Sequence, residues 1–108
     1  VTVCRLSRQA VADWREIGRF TQMRWGIAQR RKYLAKMEAT LRLLAQNPEM
    51  GMQREELLPG YRSMRIGRHI AYYRHAPGGI EVIRILHERM DAALHLTGEA
   101  AETAEEPE

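Results

Sequence analysis

Cysteine occurs once in the 108 residues, at Cys4. No intrachain disulfide can form, and a reducing cytoplasm is the expected compartment. The lone thiol reads as a small buried strand residue rather than a reactive group. No apolar run approaches the ~18–20 residues that span a bilayer. The first residues, VTVCRL, have neither the basic stretch nor the long apolar core of a signal peptide. The four histidines (His69, His75, His87 and His95) show no HxxxH or HExxH spacing, which with one cysteine argues against a metal site. Neither GxxxxGK(S/T) nor GxGxxG is present, so a nucleotide-phosphate loop is not expected, and no cofactor is.

Acidic residues are sparse except in one place. The chain has 17 Lys and Arg against 14 Asp and Glu, and five of those acids (Glu99, Glu102, Glu105, Glu106 and Glu108) fall in the last ten residues. The body from Val1 to Gly98 therefore holds 17 basic and nine acidic side chains, a formal +8. Fifteen of the 17 are arginine, whose planar fork grips carboxylates and phosphates in bidentate fashion. Such a body implies an anionic partner, nucleic acid or an acidic protein segment. The plainer reading is a soluble protein rich in arginine. At 44% hydrophobic and 29% charged residues, the composition suits one globular domain, expected over 1–98. Residues 99–108 have no large apolar side chain and one sign of charge, and read as a disordered tail. Folded back on the basic body, that tail would screen a partner surface, less so as salt rises.

Hydrophobic spacing divides the body into elements. Thr2 to Leu6 alternates as a short strand, and Ser7 is placed to cap a helix. Ala10, Val11, Trp14, Ile17 and Gly18 share one face of a helix over Arg8 to Trp25, and Gly26 reads as a left-handed stop. Leu34, Met37, Leu41 and Leu44 form the seam of a second helix over Ile27 to Gln46, ended by Asn47-Pro48. One connecting residue predicts an antiparallel helical hairpin or a sharp corner. Residues 48–60 read as a loop. Tyr61 to Ile66, Ile70 to Arg74 and Ile80 to Leu86 then read as strands separated by short turns. The expected order is β-α-α-β-β-β, an α+β domain with the hairpin packed on an antiparallel β-meander.

The stretch RILHERMD, residues 84–91, is where chemistry would sit. A metal-independent ribonuclease must deprotonate a 2′-hydroxyl, protonate a leaving oxygen and neutralise the phosphorane. His87, Glu88, Arg84 and Arg65 nominally supply those parts, while surface charge and strand-end capping explain the same residues without catalysis. Ser7 and Ser63 are better explained as a cap and a strand residue than as nucleophiles. Arg62 and Arg65, three apart on a strand, lie on opposite faces, so the sheet arginines do not all form one patch.

LSRQAVADWREIGRFTQMRWG, LLAQNPEMG, ELLPGYRSMRIGRHIAYYRH and IEVIRILHERMD, in that order, resemble the successive motifs of ParE toxins in the RelE/ParE superfamily of bacterial toxin–antitoxin modules. The resemblance covers residues 4–96. It implies two N-terminal helices on an antiparallel sheet. Members similar to RelE cleave messenger RNA on the ribosome, and many carry an aromatic near the end of the last strand. Here Glu88 follows His87, and no tyrosine, lysine or other aromatic residue of the Phe, Trp or Tyr kind comes after Tyr73. The resemblance therefore implies the ParE branch: inhibition of DNA gyrase by binding, with a RelE-type ribonuclease as the alternative.

The implied partner is a ParD-like antitoxin whose acidic C-terminal segment folds on contact. Neither a membrane nor free nucleic acid is an expected partner. Target contacts are expected at Arg65, Arg68, His69, Arg84, His87, Arg89 and Met90, on the meander and beyond its last strand. Antitoxin contacts are expected at Met23, Trp25, Tyr33 and Arg74, with core packing the alternative for the first three. Arg62 and Arg84 have another use open to them, an internal pair with an acid such as Glu56 or Asp91.

Overall fold

A computed structural model describes residues 2–96, so the acidic stretch 99–108 lies outside the described residues. Strand β1 (Val3–Leu6) leads into helices α1 (Arg8–Trp25) and α2 (Ile27–Gln46). A 3₁₀ turn (Pro48–Met50) and strands β2 (Met52–Gln53), β3 (Tyr61–Ile66), β4 (His69–Ala76) and β5 (Gly79–His87) follow. The sheet runs β1-β5-β4-β3-β2. This is the α+β architecture expected, with β3, β4 and β5 forming the antiparallel meander.

Two features differ from the sequence reading. The sheet is mixed: β1 lies parallel to β5, Val3 beside Gly79 and Leu6 beside Val82. Two long helices separate β1 from the meander, and a connection of that length lets the chain re-enter the sheet in the same direction. The segment read as loop also contains β2, which pairs Met52 with Ser63 and Gln53 with Arg62. Two paired residues are too few to register as alternation. Gly79 does more than turn the chain. A Cβ built there would collide with the Val3 carbonyl, so its missing side chain is what lets β1 lie against β5.

The helical hairpin forms for identifiable reasons. Ser7 caps α1, its Oγ accepting from the Ala10 N–H at 3.0 Å and donating to the Ile83 carbonyl at 2.7 Å. Gly26 ends α1 and starts α2 at once, its N–H bonded to Gln22 and its carbonyl to Arg30. Its φ of 95° and ψ of 169° are not left-handed helical as expected, but they belong to a region open essentially to glycine alone. Gly18 then allows close approach of the antiparallel α2, where Arg30 and Leu34 come within 3.2 Å of where a Cβ would be.

Both faces of the sheet are covered. Ala10, Ile17, Met37, Leu41 and Leu44 from the helices pack on Ile66, Ala71, Tyr73, Ile80, Val82 and Ile85. Each fully buried Leu, Ile, Val or Met among them contributes about 1.5–3 kcal/mol relative to exposure. On the opposite face Tyr61, Tyr72, Ile83 and Leu86 pack with Leu57, Leu58 and Leu96, the last from a helical turn over 92–96. Tyr73 ties the loop to the first core. Its hydroxyl accepts from the Gly51 N–H at 2.9 Å and donates to the Pro48 carbonyl at 2.8 Å. Arg62 reinforces that tie by donating to the carbonyls of Glu49 and Gly51, not to Glu56 or Asp91.

Candidate functional site

The geometry of RILHERMD begins with an irregularity in β5. Tyr72 pairs with Arg84 but Tyr73 pairs with Val82, leaving Ile83 as an extra residue. The partner strand β1 ends at Leu6, opposite Val82. Beyond that point the edge of β5 is closed by helix α1 instead. Ser7 takes the Ile83 carbonyl, and the Asp13 carboxylate takes the Ile85 N–H at 2.9 Å. The same carboxylate accepts from Arg84 Nε at 2.8 Å and Nη2 at 3.0 Å.

Arg84 is only 8% exposed, so its guanidinium clamps α1 to β5 and is not presented to an outside partner. The internal alternative describes it, with Asp13 rather than Glu56 or Asp91 as the acid. Asp91 instead caps the final turn through the N–H groups of Ala93 and Leu94.

The remaining candidates converge elsewhere. A groove of about 540 Å³ opens between the closed end of the helical hairpin and the β3–β4 turn. Phe20, Thr21, Trp25, Gln29 and Tyr33 form one wall, and Gly67, Arg68, His69 and His87 the other. Phe20 and Trp25 are 54% and 65% exposed, a large apolar surface for a small domain to leave in water.

Tyr33 organises the floor. Its hydroxyl donates to the Ile66 carbonyl at 3.0 Å and accepts from the Arg68 N–H at 3.1 Å. With that single proton placed on Ile66, the 2.7 Å contact to His69 makes Nδ1 the donor and leaves Nε2 with its lone pair. His69 stacks edge-on to His87 at 5.3 Å between ring centroids. Burial, helped by the neighbouring His87, pushes His69 down to about 4, with Glu88 and Asp13 opposing more weakly. It is therefore neutral at pH 7. His87 Nδ1 accepts from the Arg89 backbone N–H at 3.2 Å.

Charge gathers at the end nearest the β3–β4 turn. Glu88 accepts a hydrogen bond from Arg65 and lies 3.6 Å from Arg68. The hydrogen bond from Arg65, then the charges of Arg65, Arg68 and His87, hold its carboxyl below the ordinary carboxylate range against some opposing desolvation. Both arginine side chains are more than half exposed.

Of the expected contacts, Arg65, Arg68, His69 and His87 thus cluster with Trp25 and Tyr33. Arg89 and Met90 form the turn beyond β5, with Met90 40% exposed. Met23 is 79% exposed on α1, whereas Tyr33 is partly buried against the core. Arg74 lies at the other end of β4 from His69 and pairs with Glu81 at 3.0 Å. Phe20, Asp13 and the pairing role of Glu88 escaped the sequence reading. Phe20 was legible as an aromatic beside charged residues on the polar side of α1.

Burial raises the Cys4 thiol above its ordinary range, away from thiolate reactivity. Among the described residues, no His, Cys, Asp and Glu side chains group to hold a metal ion. No helix there is long and apolar enough to cross a membrane.

Comparison with known proteins agrees over almost the whole body. The family model described as ParE toxin of type II toxin-antitoxin system, parDE, matches residues 4–92. Toxin ParE1 of Caulobacter vibrioides is 40% identical over 92 residues, covering 85% of this chain and 95% of the relative. Toxin ParE1 of Mycobacterium tuberculosis is 39% identical, covering 84% and 94%. Toxin ParE of Escherichia coli is 37% identical over 97 residues, covering 89% and 94%. A solved structure titled as a chromosomal ParDE system from P. aeruginosa superposes with a TM-score of 0.68 at 22% identity, covering 80% of this chain and 95% of that one. The chain belongs to the ParE toxin family of type II toxin–antitoxin systems.

Proposed function

We propose that this toxin acts by binding DNA gyrase, without a catalytic step of its own, and that a ParD-type antitoxin neutralises it in the cytoplasm. Family membership carries the reading. The groove supports the absence of catalysis. Scission of RNA needs a mobile proton and cations turned toward phosphate. The Tyr33 hydroxyl is tied to Ile66, Arg68 and His69, and burial raises it above its ordinary range. Arg84 faces Asp13, and Arg65 leans on Glu88. What the arrangement offers is an aromatic wall with a cationic end, suited to holding a protein surface.

The test is purified gyrase with relaxed plasmid and ATP, with and without this chain. The expected result is loss of supercoiling with accumulation of cleaved DNA, reversed when antitoxin is added first. Undisturbed gyrase together with cleavage of ribosome-bound messenger RNA would replace this reading with the ribonuclease one.

A further inference from the structure

Most of the body's positive charge sits on the helical hairpin. Helices α1 and α2 hold nine basic side chains against three acidic ones, a formal +6, and one of the three acids, Asp13, is taken by Arg84. A hollow of about 460 Å³ on the hairpin is lined by Arg15, Arg19, Gln22, Met23 and Arg30, with no carboxylate in its wall. Arg15, Arg19 and Gln22 stand on the side of α1 opposite its buried Ala10, Ile17 and Thr21, so the hollow faces away from the sheet. The fold sets Arg30 in place. Gly18 has no side chain, and the Arg30 guanidinium lies across α1 with Nε 3.2 Å from where a Cβ would stand. Its Nη1 donates to Gln22 Oε1 at 2.6 Å, a neutral acceptor that fixes the fork without cancelling its charge. Arg15 meets no acid among the described residues. Arg19 pairs with Glu16 at 3.3 Å, but both are exposed, and water screens such a pair enough for another anion to replace it.

We propose that this hollow grips the phosphodiester backbone of duplex DNA, and that it does so where gyrase holds DNA beside the bound toxin. Guanidinium forks match phosphate oxygens in bidentate fashion, and three of them converge here. The inference rests on gyrase being the target, and it adds a contact to the nucleic acid on which that enzyme acts.

Charge and shape select that occupant. Arg15 and Arg19 stand roughly 6 Å apart along α1, and Arg8 extends their line to roughly 16 Å, longer than a compact anion can use. Duplex DNA presents a charge about every 1.7 Å of its axis and can follow the whole stripe. An acidic protein segment fits less well. Protein interfaces draw most of their strength from desolvated apolar and aromatic anchors, and Met23 is the one large apolar side chain lining this hollow, since Phe20 and Trp25 open into the other groove. Three phosphates also set the strength of the grip, which should fall roughly 40-fold between 50 and 200 mM salt. Free DNA is therefore held poorly at physiological salt, and the site takes effect once gyrase raises the local concentration of its DNA.

The experiment titrates a short fluorescein-labelled duplex with the full chain, followed by anisotropy, from 50 to 200 mM salt, where affinity should fall about 40-fold or more. Arg15→Ala, Arg19→Ala and Arg30→Ala should each weaken binding at the lowest salt several-fold and lower the salt slope by about one. Lys36→Ala removes the same charge from another side of α2 and should leave the slope unaltered. With gyrase and plasmid, the triple arginine variant should need about tenfold more toxin to accumulate the same cleaved DNA, while it binds gyrase alone as the parent does. Equal urea midpoints for the variants exclude misfolding as the cause.

A parent chain that leaves the duplex unbound at the lowest salt overturns the proposal. So does a Lys36→Ala slope that falls as far as those of the arginine variants, because the attraction would then belong to the whole surface. Inorganic phosphate that displaces the duplex at constant ionic strength and equal concentration would assign the hollow to a compact anion. Arginine variants that keep the duplex but lose the antitoxin would assign it to a protein partner. A triple variant that poisons gyrase as the parent does overturns the grip on DNA while leaving gyrase as the target. A parent that holds the duplex through these arginines yet leaves gyrase undisturbed would remove the gyrase reading and keep the DNA site.

Discussion

Removing the Asp13 carboxylate tests the fold where the sequence looked most like an active site. Asp13→Ala deletes the acceptor for three donors: Arg84 Nε, Arg84 Nη2 and the Ile85 N–H, all within 3.0 Å. The side chains are 10% and 14% exposed, so water replaces the lost partner poorly. Breaking a pair buried to this degree by deleting one member costs about 3–5 kcal/mol, because the other charge stays behind without its counterion. For a domain near 100 residues, each kcal/mol lowers Tm by roughly 4–8 °C, so a fall of about 12–40 °C is expected. Asp13→Asn should lose less, since a carboxamide oxygen can still accept from Ile85.

Urea denaturation and thermal melting of the purified variants measure this directly. The decisive comparison is Asp13→Leu with Arg84→Met, which replaces the pair by apolar side chains and should recover most of the loss. A loss below about 1 kcal/mol in Asp13→Ala would refute a structural clamp. So would a double variant as stable as the parent that fails to poison gyrase, because Arg84 would then be meeting the target.

Three further outcomes follow from the same geometry. Tyr73→Phe leaves the Gly51 N–H and the Pro48 carbonyl without their shared hydroxyl and should cost about 1–3 kcal/mol, read as a lower urea midpoint with protection against hydrogen exchange lost first over 48–53. Gly79→Ala drives a methyl into the Val3 backbone and should cost about 1–3 kcal/mol, with the amides of β1 exchanging fastest; unaltered protection of Val3 to Leu6 would show that the close approach relaxes freely. Stability should also fall with acid through His69. Its folded value of about 4 lies below the ordinary 6.5, so between those values the unfolded chain takes up a proton that the folded chain does not. The contribution is whole above pH 6.5 and declines as the pH drops toward 4. In urea midpoints measured across that window, His69→Gln should show a shallower slope than the parent, and equal slopes would refute the assignment.

Helix limits, the Ser7 cap and the meander were legible because each rests on local chemistry: period 3.6 along α1 and α2, period 2 along β3 to β5, and a hydroxyl before a helix. What was not legible depends on partners far apart in the chain. β1 alternates the same way whether it pairs parallel or antiparallel, and the glycine that makes room for it, Gly79, lies more than seventy residues further along the chain. The site divides likewise. His69, His87, Arg65 and Arg68 belong to the meander and read as neighbours, but Tyr33 reaches them from the middle of α2, across thirty-six residues to His69.

The displaced role of Arg84 carries a more general lesson, since its partner left a signal in the sequence. Asp13 stands three residues after Ala10 and four before Ile17, on the stripe that α1 buries. Arg84 interrupts IEVIRIL, the most apolar strand of the chain. A charge on a buried stripe is tolerated only when paired, so two such charges on elements that pack together imply each other. Arg65 and Arg68, by contrast, flank a turn where side chains reach water, and there the same residue type is available to a partner. Sequence counts arginines alike; burial of the surrounding strand separates those that hold the fold from those that can hold something else.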